Sequence, residues 1–299
     1  MNLLKNKKLL ITVVFFVVLY FLLSFIVAFT AFSIGDETYE FSPSDLNIPY
    51  EAIQIKSYNS FISTWWIPSD SDVTIIMLHG LRSQKADPEM LEKIKLFNDQ
   101  GFSIIAIDFR NHGFSGKGNF TFGIEEVDDV YTTINYFYEN EGLKSFGIWG
   151  FSYGATTALF SGFQFYENTS NVELIGIFAE SPYLDLLEVF TDQVSYRTPL
   201  NKTMANLLKP GTIFLTNLIY DFDFNSINKT FESNKEIAFP TVVLSCSNDE
   251  IVPKLQSQRI VQILGSNAVY EEFAECSNHG NTFESNSTRY IQILKNLFN

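Results

Sequence analysis

Histidine and cysteine are scarce in this chain, at three and two among 299 residues. Two cysteines cannot build a disulfide scaffold or a cysteine-only zinc site, so a hydrophobic core must hold the fold. His79, His112 and His279 are too dispersed among the apolar runs to gather a metal, and neither metal nor cofactor is expected. Basic residues are also few, 20 Lys and Arg against 34 Asp and Glu, for a net charge of −14. Residues 1–34 hold Lys5, Lys7 and Lys8 and no acid, so the remainder is more acidic still. Such a surface repels phosphate backbones, which excludes nucleic acid as a partner. Internal repeats and low-complexity tracts are missing too. What is abundant is apolar: 46% hydrophobic residues and 16% aromatic, with 30 Phe, which excludes a disordered chain. The length suits one large domain or two small ones.

Lys5, Lys7 and Lys8 precede an apolar run from Leu9 to Phe32 whose polar breaks are Thr12, Ser24 and Thr30. About 20 apolar residues span a ~30 Å hydrocarbon layer. A cleaved signal has a shorter apolar core of roughly 7–15 residues, so an uncleaved anchor over residues 1–35 is expected. The alternative is a secreted protein cut after Ser33, where Ala31 and Ser33 are small. A buried core helix would show one polar face, and this run has none. The lysines before the span and Asp36, Glu37 and Glu40 after it place the N-terminus in the cytoplasm and the rest outside or in the lumen. Asn119, Asn168, Asn201, Asn228 and Asn286 each open a glycosylation acceptor triplet and agree with export.

Beyond a polar connector at 36–49, strand and helix patterns alternate. Glu51–Lys56 and Phe61–Ile67 read as an antiparallel hairpin. Val73–Leu78, Ser103–Phe109, Ser145–Phe151, Leu174–Ala179 and Pro240–Ser245 read as buried strands, with Ala268–Phe273 as the last. Helical spacing covers Pro88–Gln100, Ile124–Asn140, Ser152–Phe163, Pro253–Leu264 and Ser287–Phe298. The pattern predicts an α/β fold: a mostly parallel sheet with helices on both faces, and chemistry at the strand carboxyl ends. Residues 186–235 interrupt it with aromatic, mostly helical sequence (Phe190, Tyr196, Phe214, Tyr220, Phe222, Phe224), read as a small cap inserted between two strands.

At one strand–helix junction stands Gly150-Phe151-Ser152-Tyr153-Gly154. A G-x-S-x-G in that setting is a nucleophile elbow: the tight reversal strains the serine backbone and thrusts its hydroxyl out at the strand end. The Tyr153 amide, at the helix N-terminus, faces developing negative charge. A serine needs a base, and neutral histidine is the usual one. His279 follows the last strand, whereas His79 and His112 precede the elbow; His79 reads as a structural hydrogen-bonder. Asp249, just after strand Pro240–Ser245, is the candidate orienting acid, with Asp185 and Glu250 as rivals.

Five segments in order, MLHG (77–80), IDFRNHGFSG (107–116), GFSYG (150–154), SNDEIVP (247–253) and SNHG (277–280), resemble the α/β-hydrolase superfamily from Val73 to the C-terminus. The resemblance is to its single-pass, membrane-anchored serine hydrolases with a small cap. It implies a second oxyanion amide at Leu81 and a supporting role for His112. Asn111 stands where the family more usually has glycine.

The reading is a Ser152–His279–Asp249 hydrolase working through an acyl-enzyme on a small acyl substrate. Aromatic cap residues and a nearby bilayer favour an apolar chain, such as a monoacylglycerol, a lysophospholipid or another carboxylic ester. A peptidase or acyltransferase of the same fold is the alternative, and a catalytically silent binding protein the alternative of another class. Cys246 and Cys276 flank the candidate acid and histidine at the ends of neighbouring strands, making them a candidate disulfide.

Overall fold

Apolar runs too hydrophobic to face water on either side become the inner strands of one sheet. In a computed structural model, which describes residues 2–34, 38–57, 60–169, 171–197, 201–276 and 278–299, eight strands pair in the order β1-β2-β4-β3-β5-β6-β7-β8. They are β1 Glu51–Ser57, β2 Ser60–Ile67, β3 Val73–Leu78, β4 Ser103–Ile107, β5 Ser145–Phe151, β6 Glu173–Glu180, β7 Thr241–Cys246 and β8 Ala268–Phe273. Side chains are described outside residues 2–6, 196 and 197, so Lys5, Tyr196, Asp36, Glu37 and Ser277 of the sequence reading lie outside the described residues.

The hairpin expected at 51–67 is β1–β2; it joins β4 antiparallel, and every later pairing is parallel. The expected mostly parallel sheet is therefore the observed one. Ile75, Ile76, Met77 and Leu78 are fully buried, as a strand covered on both faces requires.

The helices are α1 Asn2–Phe32, α2 Pro88–Asp99, α3 Val127–Glu141, α4 Tyr153–Phe163, α5 Phe165–Asn168, α6 Leu186–Arg197, α7 Lys202–Tyr220, α8 Asn225–Ser233, α9 Lys254–Leu264, α10 Thr282–Ser285 and α11 Ser287–Phe298. The last strand and the last helix have the bounds expected from sequence; β4 ends two residues early because Asp108 and Phe109 already belong to the turn that follows. Trp149, Phe97, Tyr290 and Phe298 build much of one core face, with α2 and α11 supplying the helical side chains. Burial of each such side chain contributes about 1.5–3 kcal/mol.

The chain divides into two compact units, one made of 34–184 with 227–299 and the other of 1–33 with 185–226. The first holds the sheet. The second joins α1 to α6 and α7. Within it, Tyr20 Oη accepts from the Gly211 N–H over 2.8 Å, and the rings of Phe32 and Tyr220 stack at 4.0 Å.

Candidate active site

Strand β5 turns into α4 within a single residue, and that residue is Ser152. Its φ of 54° and ψ of −110° place a non-glycine residue in a sparsely allowed region. The strain is held from both sides: the Ser152 N–H donates to the Glu180 carbonyl at the end of β6 over 2.8 Å, and the Ser152 carbonyl accepts from Thr156. Gly154 is obligatory here, since a Cβ would run into the Leu78 and His79 carbonyls where β3 ends.

His279 lies in the loop between β8 and α10. Its Nδ1 sits 2.7 Å from Asp249 Oδ2, and its ring centroid is 4.7 Å from that of Phe151, the residue before the serine. An ionised carboxylate only accepts, so Nδ1–H is the donor of this bond and Nε2 is the ring nitrogen left for other contacts. Among the described residues no hydrogen bond joins Ser152 Oγ to the imidazole; bonds of this kind are commonly long until substrate is seated.

Asp249 follows β7 and is buried, and burial opposes its charge. The His279 ring and the N–H groups of Val252 and Ile251 outweigh that opposition and hold its carboxyl below the usual carboxylate range. Ser181 Oγ donates to the same Oδ2 over 3.1 Å. Of the two rivals, Glu250 is exposed, and Asp185 accepts from the Glu188 N–H as a helix cap.

The amides of Leu81 and Tyr153 have no protein acceptor among the described residues. Gly80, where a Cβ would press on the Phe151 ring, lets the loop bearing Leu81 lie close to the elbow. His79 is fully buried: its Nδ1–H donates to the Gly80 carbonyl over 2.7 Å and its Nε2 accepts from the Phe109 N–H over 3.1 Å. Burial pushes its pKa down, keeping it a neutral brace. His112 braces the other side of this loop, accepting from the Arg82 N–H over 3.4 Å and donating to the Arg110 carbonyl over 3.0 Å. Burial, with His79 close by, pushes it down to about 3. Asn111 has φ 68°, a left-handed conformation that glycine adopts freely and asparagine tolerates; its side chain bridges to both backbone polar groups of Gly118.

Cys246 and Cys276 form a disulfide with Cα atoms 5.0 Å apart, between the end of β7 and the loop that leads to His279. Asn119, Asn168, Asn201 and Asn286 are exposed, while Asn228 is half-buried with its side-chain oxygen shielded from solvent.

A model described as alpha/beta hydrolase fold matches residues 73–161. Uncharacterized protein YqkD of Bacillus subtilis is 25% identical over 231 residues, covering 76% of this chain and 72% of its own. Protein ABHD12B of Homo sapiens is 24% identical over 195 residues, or 65% of this chain, which spans only 50% of that protein. Among solved structures, the esterase Pf2001 of Pyrococcus furiosus superposes with a TM-score of 0.69 at 24% identity, over 89% of this chain and 97% of that one. The mouse alpha/beta hydrolase domain-containing protein 10 gives 0.61 at 14% identity, over 83% and 98%.

The chain has the α/β-hydrolase fold. Within it, sequence reasoning missed three fully buried polar residues, Ser181, Glu180 and Lys85. Ser181 was invisible because it belongs to no motif, and its φ of 53° has no sequence signature. Glu180 is fully buried at the end of β6, taking hydrogen bonds from Thr282 Oγ and from Tyr290 Oη, the latter over 2.9 Å. Burial raises its pKa. Lys85, fully buried, pairs with Asp108 of the IDFRNHGFSG segment over 2.6 Å and donates to Ser63 Oγ and Tyr39 Oη.

Proposed function

We propose that this α/β-hydrolase is a serine hydrolase of carboxylic esters with an apolar acyl group. Ser152 Oγ attacks the acyl carbon while His279 Nε2 takes its proton, and Asp249 holds the imidazole and stabilises the cation that forms. The oxyanion is received by the Leu81 and Tyr153 amides, each such donor contributing about 3 kcal/mol. Collapse expels the alcohol, which leaves with the proton from His279. Water then attacks the acyl-serine, giving its proton to the same nitrogen, which returns it to Ser152 Oγ as the acid departs. The observation that supports this most is the strained Ser152 turn, next to Phe151 whose ring lies against a His279 imidazole held by Asp249 through Nδ1.

The enzyme is anchored by α1, whose 26-residue Lys7–Phe32 stretch contains an 18-residue window with a mean hydropathy of 3.0. Packing of α1 on α7 supports retention of the helix over its removal as a signal. The lysines ahead of it support a cytoplasmic N-terminus and a catalytic domain outside, where Asn119, Asn168 and Asn286 are exposed glycosylation candidates.

The test is a panel of acyl esters of graded chain length, run beside peptide substrates and alcohol acceptors. Full-length protein is expected to release acid from the esters, best with the longer chains, and Ser152→Ala to release none. Equal turnover by both proteins, or cleavage confined to peptides, overturns the reading.

A further inference from the structure

Helix α7 has two faces of different character. One buries Ala205, Leu208, Gly211, Thr212 and Thr216, a stripe at helical spacing. Opposite it, α1 buries Ser24, Ala28 and Ala31. Small side chains on both sides let the two backbones approach, which is how helices pair in lipid, where hydrophobic driving force between them is lacking. The Gly211 N–H, next to the helix-breaking Pro210, donates to Tyr20 Oη of α1. A neighbouring helix satisfies backbone groups around a proline in the same way inside membranes.

From Leu207 on, the exposed positions of α7 are apolar except Asn217, whereas Lys202, Thr203 and Asn206 ahead of them are exposed and polar. Met204, Leu207, Phe214, Leu218 and Ile219 are 47–69% accessible. A stripe of this size is costly in water and marks an interaction surface. It continues onto the span: the Phe214 ring centroid lies 6.1 Å from that of Phe21, itself 40% exposed on the α1 side that carries Phe25 and Phe29. Asn217, within the same stretch, turns its amide back onto the Ile213 carbonyl over 3.0 Å, so its donor is met inside the helix.

We infer that α7 is bedded in the bilayer beside α1, with lipid acyl chains against Leu207, Phe214 and Leu218. This rests on α1 being a membrane span. A helix docked along residues 20–32 of a span shares their depth, and only an apolar outer face tolerates it. The inserted segment is then a second, partly embedded membrane element contributed from the middle of the chain.

The test labels single cysteines with an environment-sensitive fluorophore at Val17→Cys on α1, Phe214→Cys and Leu218→Cys on α7, and Asp70→Cys on a surface loop. The native cysteines are already paired. Full-length protein in phosphatidylcholine–phosphatidylglycerol nanodiscs is exposed to doxyl-labelled phosphatidylcholine or to aqueous iodide. The expected result is lipid quenching at positions 17, 214 and 218 and iodide quenching at 70 alone. Lipid quenching at 17 with iodide quenching at 214 and 218 overturns the inference and leaves the anchor standing. Iodide quenching at 17 overturns the anchor itself and the inference with it. Shielding of 214 and 218 from both quenchers means that a second copy of the chain covers the stripe, and also overturns it.

Discussion

The Nδ1 of His279 donates to Oδ2 of Asp249 over 2.7 Å, although 30 positions separate the two in the chain. The acid is fixed independently, by the Ile251 and Val252 amides and by Ser181 Oγ, so the imidazole is oriented by a group that cannot drift. Replacing Asp249 with Asn keeps the shape but offers an N–H where an acceptor is needed, which favours the wrong tautomer. Asp249→Asn is expected to lower kcat by about 10⁴ with little change in KM, measured on the best ester of the panel.

The pair Lys85–Asp108 predicts a stability effect without any chemistry. Both side chains are fully buried, and Asp108 also accepts from the Lys85 and Phe114 amides. Burial brings Lys85 down to about 8, so it stays largely charged near neutrality. Lys85→Met leaves the carboxylate buried without its cation, a loss of about 3–5 kcal/mol. Urea unfolding at pH 7 measures it.

Asp249 and Glu180 carry opposite pH signatures. A carboxyl held low in the fold contributes stability present above its unfolded pKa and lost as pH falls through the folded one. Asp249 is of this kind, so its contribution disappears in acid, below the ordinary carboxylate value. Glu180, raised by burial, contributes stability below its unfolded pKa and loses it as pH rises through the higher folded value. In a pH series of unfolding free energies, the advantage of wild type over Glu180→Gln is expected to shrink as pH rises from acid toward neutral. The advantage over Asp249→Asn is expected to grow.

The disulfide closes a loop of 30 residues that holds both Asp249 and the approach to His279. Cross-linking a loop of that length constrains the unfolded chain by about 3–4 kcal/mol. Cys246→Ser with Cys276→Ser is expected to lower the Tm by several degrees and to make it insensitive to reductant, read by thermal unfolding with and without dithiothreitol.

Much of this fold was legible because its signals are local. Continuous apolar runs named the inner strands, and G-x-S-x-G between strand and helix named the turn at Ser152. The partners of those elements were less legible. Ser181, Glu180 and Lys85 matter through neighbours far away in sequence, and a lone serine, glutamate or lysine carries no local mark of that. The pairing of α1 with α7 is of the same kind: Tyr20 and Gly211 meet across 191 positions, and the apolar run at 9–32 explains itself as a span without a partner helix.

The most direct test is active-site labelling of folded, full-length protein with a fluorophosphonate probe, followed by mapping of the modified peptide. A covalent adduct on Ser152, lost in Ser152→Ala while that variant remains folded, is the predicted result. Folded wild-type protein that takes up no probe, or labelling that Ser152→Ala leaves unchanged, contradicts it.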